Sequence, residues 1–103
     1  FVFICSLEIS DDVKKSINEK LSDKTVVWMY APNYYSGGTN EVLNINLKVK
    51  NTPEAKINYK DEVFGFTDPT LPMFEVADSE AHIIAKYDDG TPACAKKGKQ
   101  YYF

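Results

Sequence analysis

Seven consecutive residues, Thr25-Val26-Val27-Trp28-Met29-Tyr30-Ala31, carry no charge, and all but the first are apolar. A strand with one wet face alternates polar and apolar side chains, whereas one that is apolar throughout needs cover on both faces. The run therefore predicts an interior strand of a parallel sheet. Upstream, Phe1 to Glu8 is rich in β-branched and aromatic residues and predicts another strand. Ser10-Asp11-Asp12 then reads as a helix N-cap followed by two carboxylates at the positive end of the helix dipole. Val13, Ile17 and Leu21 recur every four residues, with Lys14, Lys15, Glu19 and Lys20 elsewhere, as in a short helix with one buried stripe. Ser22-Asp23-Lys24 ends it. Strand, helix and buried strand predict a βαβ unit with a right-handed crossover, hence an α/β fold built on a parallel sheet.

Beyond Pro32 the pattern changes. Asn33 to Thr39 reads as a loop, and Val42, Leu43, Ile45, Leu47 and Val49 suggest a helix from about Asn40 to Val49. Strands are predicted near Lys56–Tyr59, Met73–Val76, Ala81–Tyr87, Pro92–Lys96 and Gln100–Phe103. Thr67-Asp68-Pro69, Asp88-Asp89-Gly90 and Lys97-Gly98 supply the turns between them. An α/β first half thus leads into a strand-rich C-terminal part. With 103 residues the chain makes one domain, 1–103. It opens on Phe1 and closes on Tyr101-Tyr102-Phe103 amid apolar residues, and is expected to be a piece of a longer polypeptide.

Charge and side-chain chemistry exclude several functions. Twelve positive residues, all of them Lys, stand against fifteen acidic ones, a net charge of −3. Without the arginine fork, and with Lys96-Lys97-Gly98-Lys99 as the densest basic cluster, nucleic acid is not an expected partner. No apolar stretch approaches the roughly 20 residues of a membrane span, so no membrane is expected either. Cys5, Cys94 and His82 are too few for a zinc site, and both thiols read as buried packing positions. Gly37-Gly38-Thr39 lacks the lysine and spacing of a phosphate loop, so no cofactor is expected. Asp61, Glu62, Asp68, Glu75, Asp78, Glu80, Asp88 and Asp89 form no pair singled out by spacing, and Asp88-Asp89-Gly90 lacks the ligand alternation of a calcium loop. Trp28 belongs to the core. Tyr34, Tyr35, Tyr101 and Tyr102 remain as candidate contacts to a sugar or to a subunit interface.

The wording of the chain adds a resemblance. Lys24-Thr25-Val26-Val27-Trp28-Met29-Tyr30-Ala31-Pro32 resembles the K-T-V-V-W-x-Y-A-P-G-Y signature of the trimerisation-type domain in β-galactosidase-like glycoside hydrolases, family 42 and its relatives. Leu7-Glu8-Ile9-Ser10-Asp11-Asp12 is similar to the start of that domain's helix. Leu71 to Ala81 resembles its P-x-F-x-V-x-D-x-E-A stretch, and Tyr87 to Lys97 its closing hairpin. Asn33 replaces the signature glycine, and Asn46-Leu47-Lys48-Val49 lacks the family's Thr-Gly. The resemblance implies the C-terminal part of a flavodoxin-like domain, related to class I glutamine amidotransferases. That domain follows a catalytic barrel and supplies subunit contacts. No family active-site residue maps onto this sequence.

The expected function is that of a non-catalytic accessory domain, partnered by other domains of its polypeptide or by identical subunits. The alternative is a carbohydrate-binding module using exposed tyrosines. A third reading, a degenerate amidotransferase-like enzyme, would need Cys5 or Cys94 as a nucleophile.

Overall fold

The computed structural model describes residues 1–4, 9–30, 42–52, 55–65 and 72–103. Their elements run β1 (Val2–Ile4), α1 (Asp11–Lys20), β2 (Val26–Met29), β3 (Leu47–Val49), β4 (Ile57–Tyr59), β5 (Glu62–Phe64), β6 (Phe74–Val76), β7 (His82–Tyr87), β8 (Pro92–Lys97) and β9 (Gln100–Tyr102). Seven strands form one sheet in the order β1-β2-β9-β8-β7-β4-β5, and β3 pairs with β6 in a second, two-stranded sheet.

The α/β, flavodoxin-like or amidotransferase-like expectation is overturned. Among the described residues α1 and a helical Val42-Leu43 accompany nine strands, and the large sheet is mixed. β1, β2 and β9 run parallel to one another, but β9–β8, β8–β7, β7–β4 and β4–β5 are all antiparallel. A wound parallel sheet needs a crossover of a dozen or more residues between successive strands, whereas β7, β8 and β9 follow one another through tight turns. Nor is β2 covered on both faces. Val26 and Trp28 are 0% exposed, while Met29 is 42% exposed. An uninterrupted apolar run does not say which of its faces the rest of the chain covers.

Two local expectations also change. Of the helix expected from about Asn40 to Val49, the described part is helical only at Val42 and Leu43; Asn44 takes a left-handed φ of 55° and Leu47–Val49 is strand β3. β5 was not foreseen. Its hairpin with β4 turns at Lys60 and Asp61, with φ of 49° and 67°. Two left-handed residues are what a two-residue hairpin needs, but Lys-Asp lacks the Asn-Gly signal that would announce it. The expected loop 33–39, the turn 67–69, and Cys5, Tyr34 and Tyr35 lie outside the described residues.

One face of the large sheet carries the core. α1 contributes Ile17 but leaves Val13 46% exposed, and Leu21, Val42, Leu43 and Ile45 join it with Phe74 and Val76 of β6. They pack on Val26, Trp28, Ala95 and Tyr102 of the sheet. Phe3 stacks on Trp28 with ring centroids 4.4 Å apart, and the indole Nε1 donates to Gln100 Oε1 at 2.8 Å. Asp89-Gly90 turns the β7–β8 hairpin, where Gly90 has a φ of 86° and Gly90 N donates to the Tyr87 carbonyl at 2.9 Å.

Candidate functional site

Strand alternation divides the candidate tyrosines. Tyr102 opposes Trp28 and is 3% exposed in the core, so it presents no face to a ligand. Tyr101 opposes Val27 on the other face of the sheet, beside Phe103. Their rings are parallel to within 5° at 6.3 Å, and Lys96 Nζ lies 5.3 Å from the Tyr101 centroid. The two residues were read as one pair, but the period of two along a strand sends them to opposite sides.

Around Tyr101 the outer face of the sheet exposes many apolar side chains, interrupted by Lys96 and His82. The register places Val2 and Ile4 of β1 beside Val27 and Met29 of β2 on this face. Ile4 is 71% exposed and Phe103 44%. Farther along, Ile57, Tyr59, Phe64, Ile84, Ala85, Cys94, Tyr101 and Phe103 line a trough of about 460 Å³. Its middle, on β7 and β8, is lined by Ile84, Ala85 and Cys94, with aromatic residues on both sides. A register shift at Ile83/Ala85 explains why Ile84 and Ala85, neighbours in sequence, both reach it. No element of the described chain covers this face. Phe64 was missed because β5 was missed; Phe103, expected in the Gln100–Phe103 strand, was not among the candidate contacts.

A second, smaller cleft of about 250 Å³ is lined by Tyr30, Met73, Phe74, Tyr87 and Tyr102, among others. Its phenols are committed: Tyr30 Oη donates to the Pro72 carbonyl at 2.6 Å and Tyr87 Oη to the Phe74 carbonyl at 2.7 Å. Burial pushes the Tyr87 hydroxyl up to about 12, and it pushes Tyr102 higher still. Tyr30 and Tyr87 thereby brace the core, and the raised phenols of Tyr87 and Tyr102 keep their protons at neutral pH.

The charged clusters are likewise closed on themselves. Lys50 is buried, and its ammonium donates to Thr52 Oγ1 at 2.7 Å, to Thr91 Oγ1 at 2.9 Å and to Asp89 Oδ2. The Lys50 bond, with help from Thr91 and Thr52, holds the Asp89 carboxyl far below its usual range. Asp78 accepts from Lys97 Nζ at 2.9 Å, from Asn46 N at 3.1 Å and from Glu80 N at 3.0 Å. The Lys97 bond is the main cause of its lowered pKa. All donors and acceptors here bind each other, pinning loops to the β7–β8–β9 meander. Among the described residues no group of three or more His, Cys, Asp or Glu is placed to hold a metal ion. Cys94 is buried and its thiol is pushed up to about 11 by desolvation, the opposite of an activated nucleophile. His82 is exposed on β7, opposite Lys96.

No protein-family model matches the sequence, and no curated protein does. Among solved structures, the chain is similar to part of a β-galactosidase from the psychrophilic Marinomonas ef1, with a TM-score of 0.60 and 13% identity. The match covers 99% of this chain and 17% of that one, so this chain spans about a sixth of that protein's length. At such low identity the likeness establishes a shared fold.

Proposed function

We propose that this domain is a non-catalytic accessory unit of a glycoside-hydrolase-type polypeptide, working through contact with another domain or with an identical subunit. The observation that carries the reading is the apolar outer face of the large sheet, where Ile4, Met29, Phe64 and Phe103 are 71%, 42%, 50% and 44% exposed. Soluble monomers rarely expose large apolar patches, and such patches mark interaction sites. The shared fold with a segment of a β-galactosidase chain, and the resemblance in the K-T-V-V-W block, support the choice of parent.

Hydroxyl-radical footprinting tests it. Oxidation of Met29, Tyr101 and Phe103 is compared between this domain alone and the native polypeptide that contains it. Accessory docking predicts at least about fivefold protection of these side chains in the native protein. Equal oxidation in both overturns the reading. The carbohydrate-binding alternative rests on the Tyr101–Phe103 stack, yet the Lys96 ammonium already lies over the Tyr101 ring. Galactose or lactose titrations that leave the Tyr101 ring resonances unmoved dispose of that alternative.

A further inference from the structure

Resting on the interface reading above, we infer that the trough on the outer face receives an amphipathic helix whose apolar stripe is bordered by carboxylates. Shape argues for the helix. The walls stand on β4 and β9, which are separated by β7 and β8 in the sheet. Three strand spacings put them about 14 Å apart, and a helix with its side chains is about 10–12 Å across. The floor residues, Ile84, Ala85 and Cys94, are all apolar and meet the helix's apolar side chains, while Tyr59 and Phe64 flank one side and Tyr101 and Phe103 the other. A flat lipid surface does not fill such a concave trough.

Charge argues for the acidic border. Each wall carries a lysine over its tyrosine, Lys60 Nζ at 5.1 Å from the Tyr59 centroid and Lys96 Nζ at 5.3 Å from that of Tyr101. Both lysines are exposed, and neither makes an ion pair with any carboxylate among the described residues. In a chain of net charge −3, two unpaired ammonium groups thus flank the apolar floor. A helix with Asp or Glu on both sides of its stripe satisfies both at once, and one bordered by Lys or Arg is repelled at both.

The test uses two stapled helical peptides of about 18 residues with the same leucine stripe, one bordered by Glu and one by Lys, followed by fluorescence anisotropy. The Glu-bordered peptide is expected to bind at least about tenfold tighter at low salt, with the advantage shrinking as ionic strength rises. Lys60→Glu combined with Lys96→Glu, both solvent-exposed changes that leave the core alone, is expected to reverse the preference. Equal affinities, a preference that the double variant does not reverse, or no binding by either peptide overturns the inference. So does partition onto phosphatidylserine–phosphatidylcholine vesicles in preference to both peptides. Footprinting separates the failures. A trough protected in the native polypeptide without the charge preference removes the acidic helix and keeps the interface, whereas an unprotected trough removes both.

Discussion

Tyr87 and Cys94 lie close together in the second core cluster and share a physical fate, since both are weak acids deprived of water. Burial raises the phenol from 10.0 to about 12 and the thiol from 9.0 to about 11. For an acid whose folded pKa exceeds its unfolded one, the folded state holds its proton longer. The associated stability is complete below the unfolded pKa and is lost as pH rises through the folded one. Urea midpoints are therefore expected to be flat up to about pH 9 and to fall between pH 9 and 12. Cys94→Ala should remove the lower part of that fall, and Tyr87→Phe should reduce the upper part, which the still higher Tyr102 shares. A midpoint still level at pH 12 would contradict the burial of both groups. Gly65 supplies a second prediction at this scale. Its φ is 111°, and a Cβ there would collide with the Ala55 carbonyl oxygen. Gly65→Ala is expected to cost at least ~1–3 kcal/mol in chemical denaturation from backbone strain alone. The burial of Trp28 and the packing role of Cys94 were legible from their neighbours in sequence. That of Lys50 was not, because a lysine after an apolar stretch reads as solvated. Its partners Asp89 and Thr91 lie 39 and 41 residues away.

At the scale of elements, legibility follows the range of the forces. α1 was readable because its cap, first-turn acids and i, i+4 stripe are all local, and Ser10 indeed has extended geometry before Asp11–Lys20. Yet Ser10 makes no side-chain capping hydrogen bond, which leaves the two first-turn carboxylates as the main local support. Ser10→Ala is accordingly expected to change stability by less than ~0.5 kcal/mol, below the ~1 kcal/mol usual for a serine cap. Asp11→Asn combined with Asp12→Asn should cost more, about 0.3–1 kcal/mol per charge at low ionic strength. Thermal melts of the two variants compare them, and a larger loss from Ser10→Ala than from the acidic pair would refute the ranking. The C-terminal meander was similarly legible, with β7, β8 and β9 close to their expected bounds. β3 was not, because Leu47–Val49 becomes a strand only by pairing with Phe74–Val76. Three residues carry no decisive period of their own, and a distant partner chooses between helix and strand.

For the molecule as a whole, the controlling fact is a sheet that the described elements cover on one side. The core face holds Trp28, Tyr102 and Ala95 against α1 and β6, while the outer face keeps Ile4, Met29 and Phe103 in water. Polar replacements on the outer face, such as Met29→Gln and Phe103→Ser, should leave the domain's stability within about 0.5 kcal/mol, as surface changes do. The same pair should lower self-association of the domain, read as the concentration dependence of light scattering. A large loss of stability instead would place these side chains in the core and remove the case for a docking face.

By itself the sequence determined those features that arise among neighbours: the strand-forming run through Trp28, the amphipathic α1 with its first-turn carboxylates, the glycine turn of the β7–β8 hairpin, and the absence of arginine. Tertiary structure alone decided the mixed sheet, the edge position of β1, the opposite destinations of Tyr101 and Tyr102, and the trough between Tyr59 and Tyr101. Strand direction and strand neighbours depend on hydrogen bonds between segments as far apart as Val26 and Gln100, for which no local pattern exists. An apolar side chain favours burial equally on either face of a sheet. Only the packing of α1 and β6 on one of them determines which face remains open.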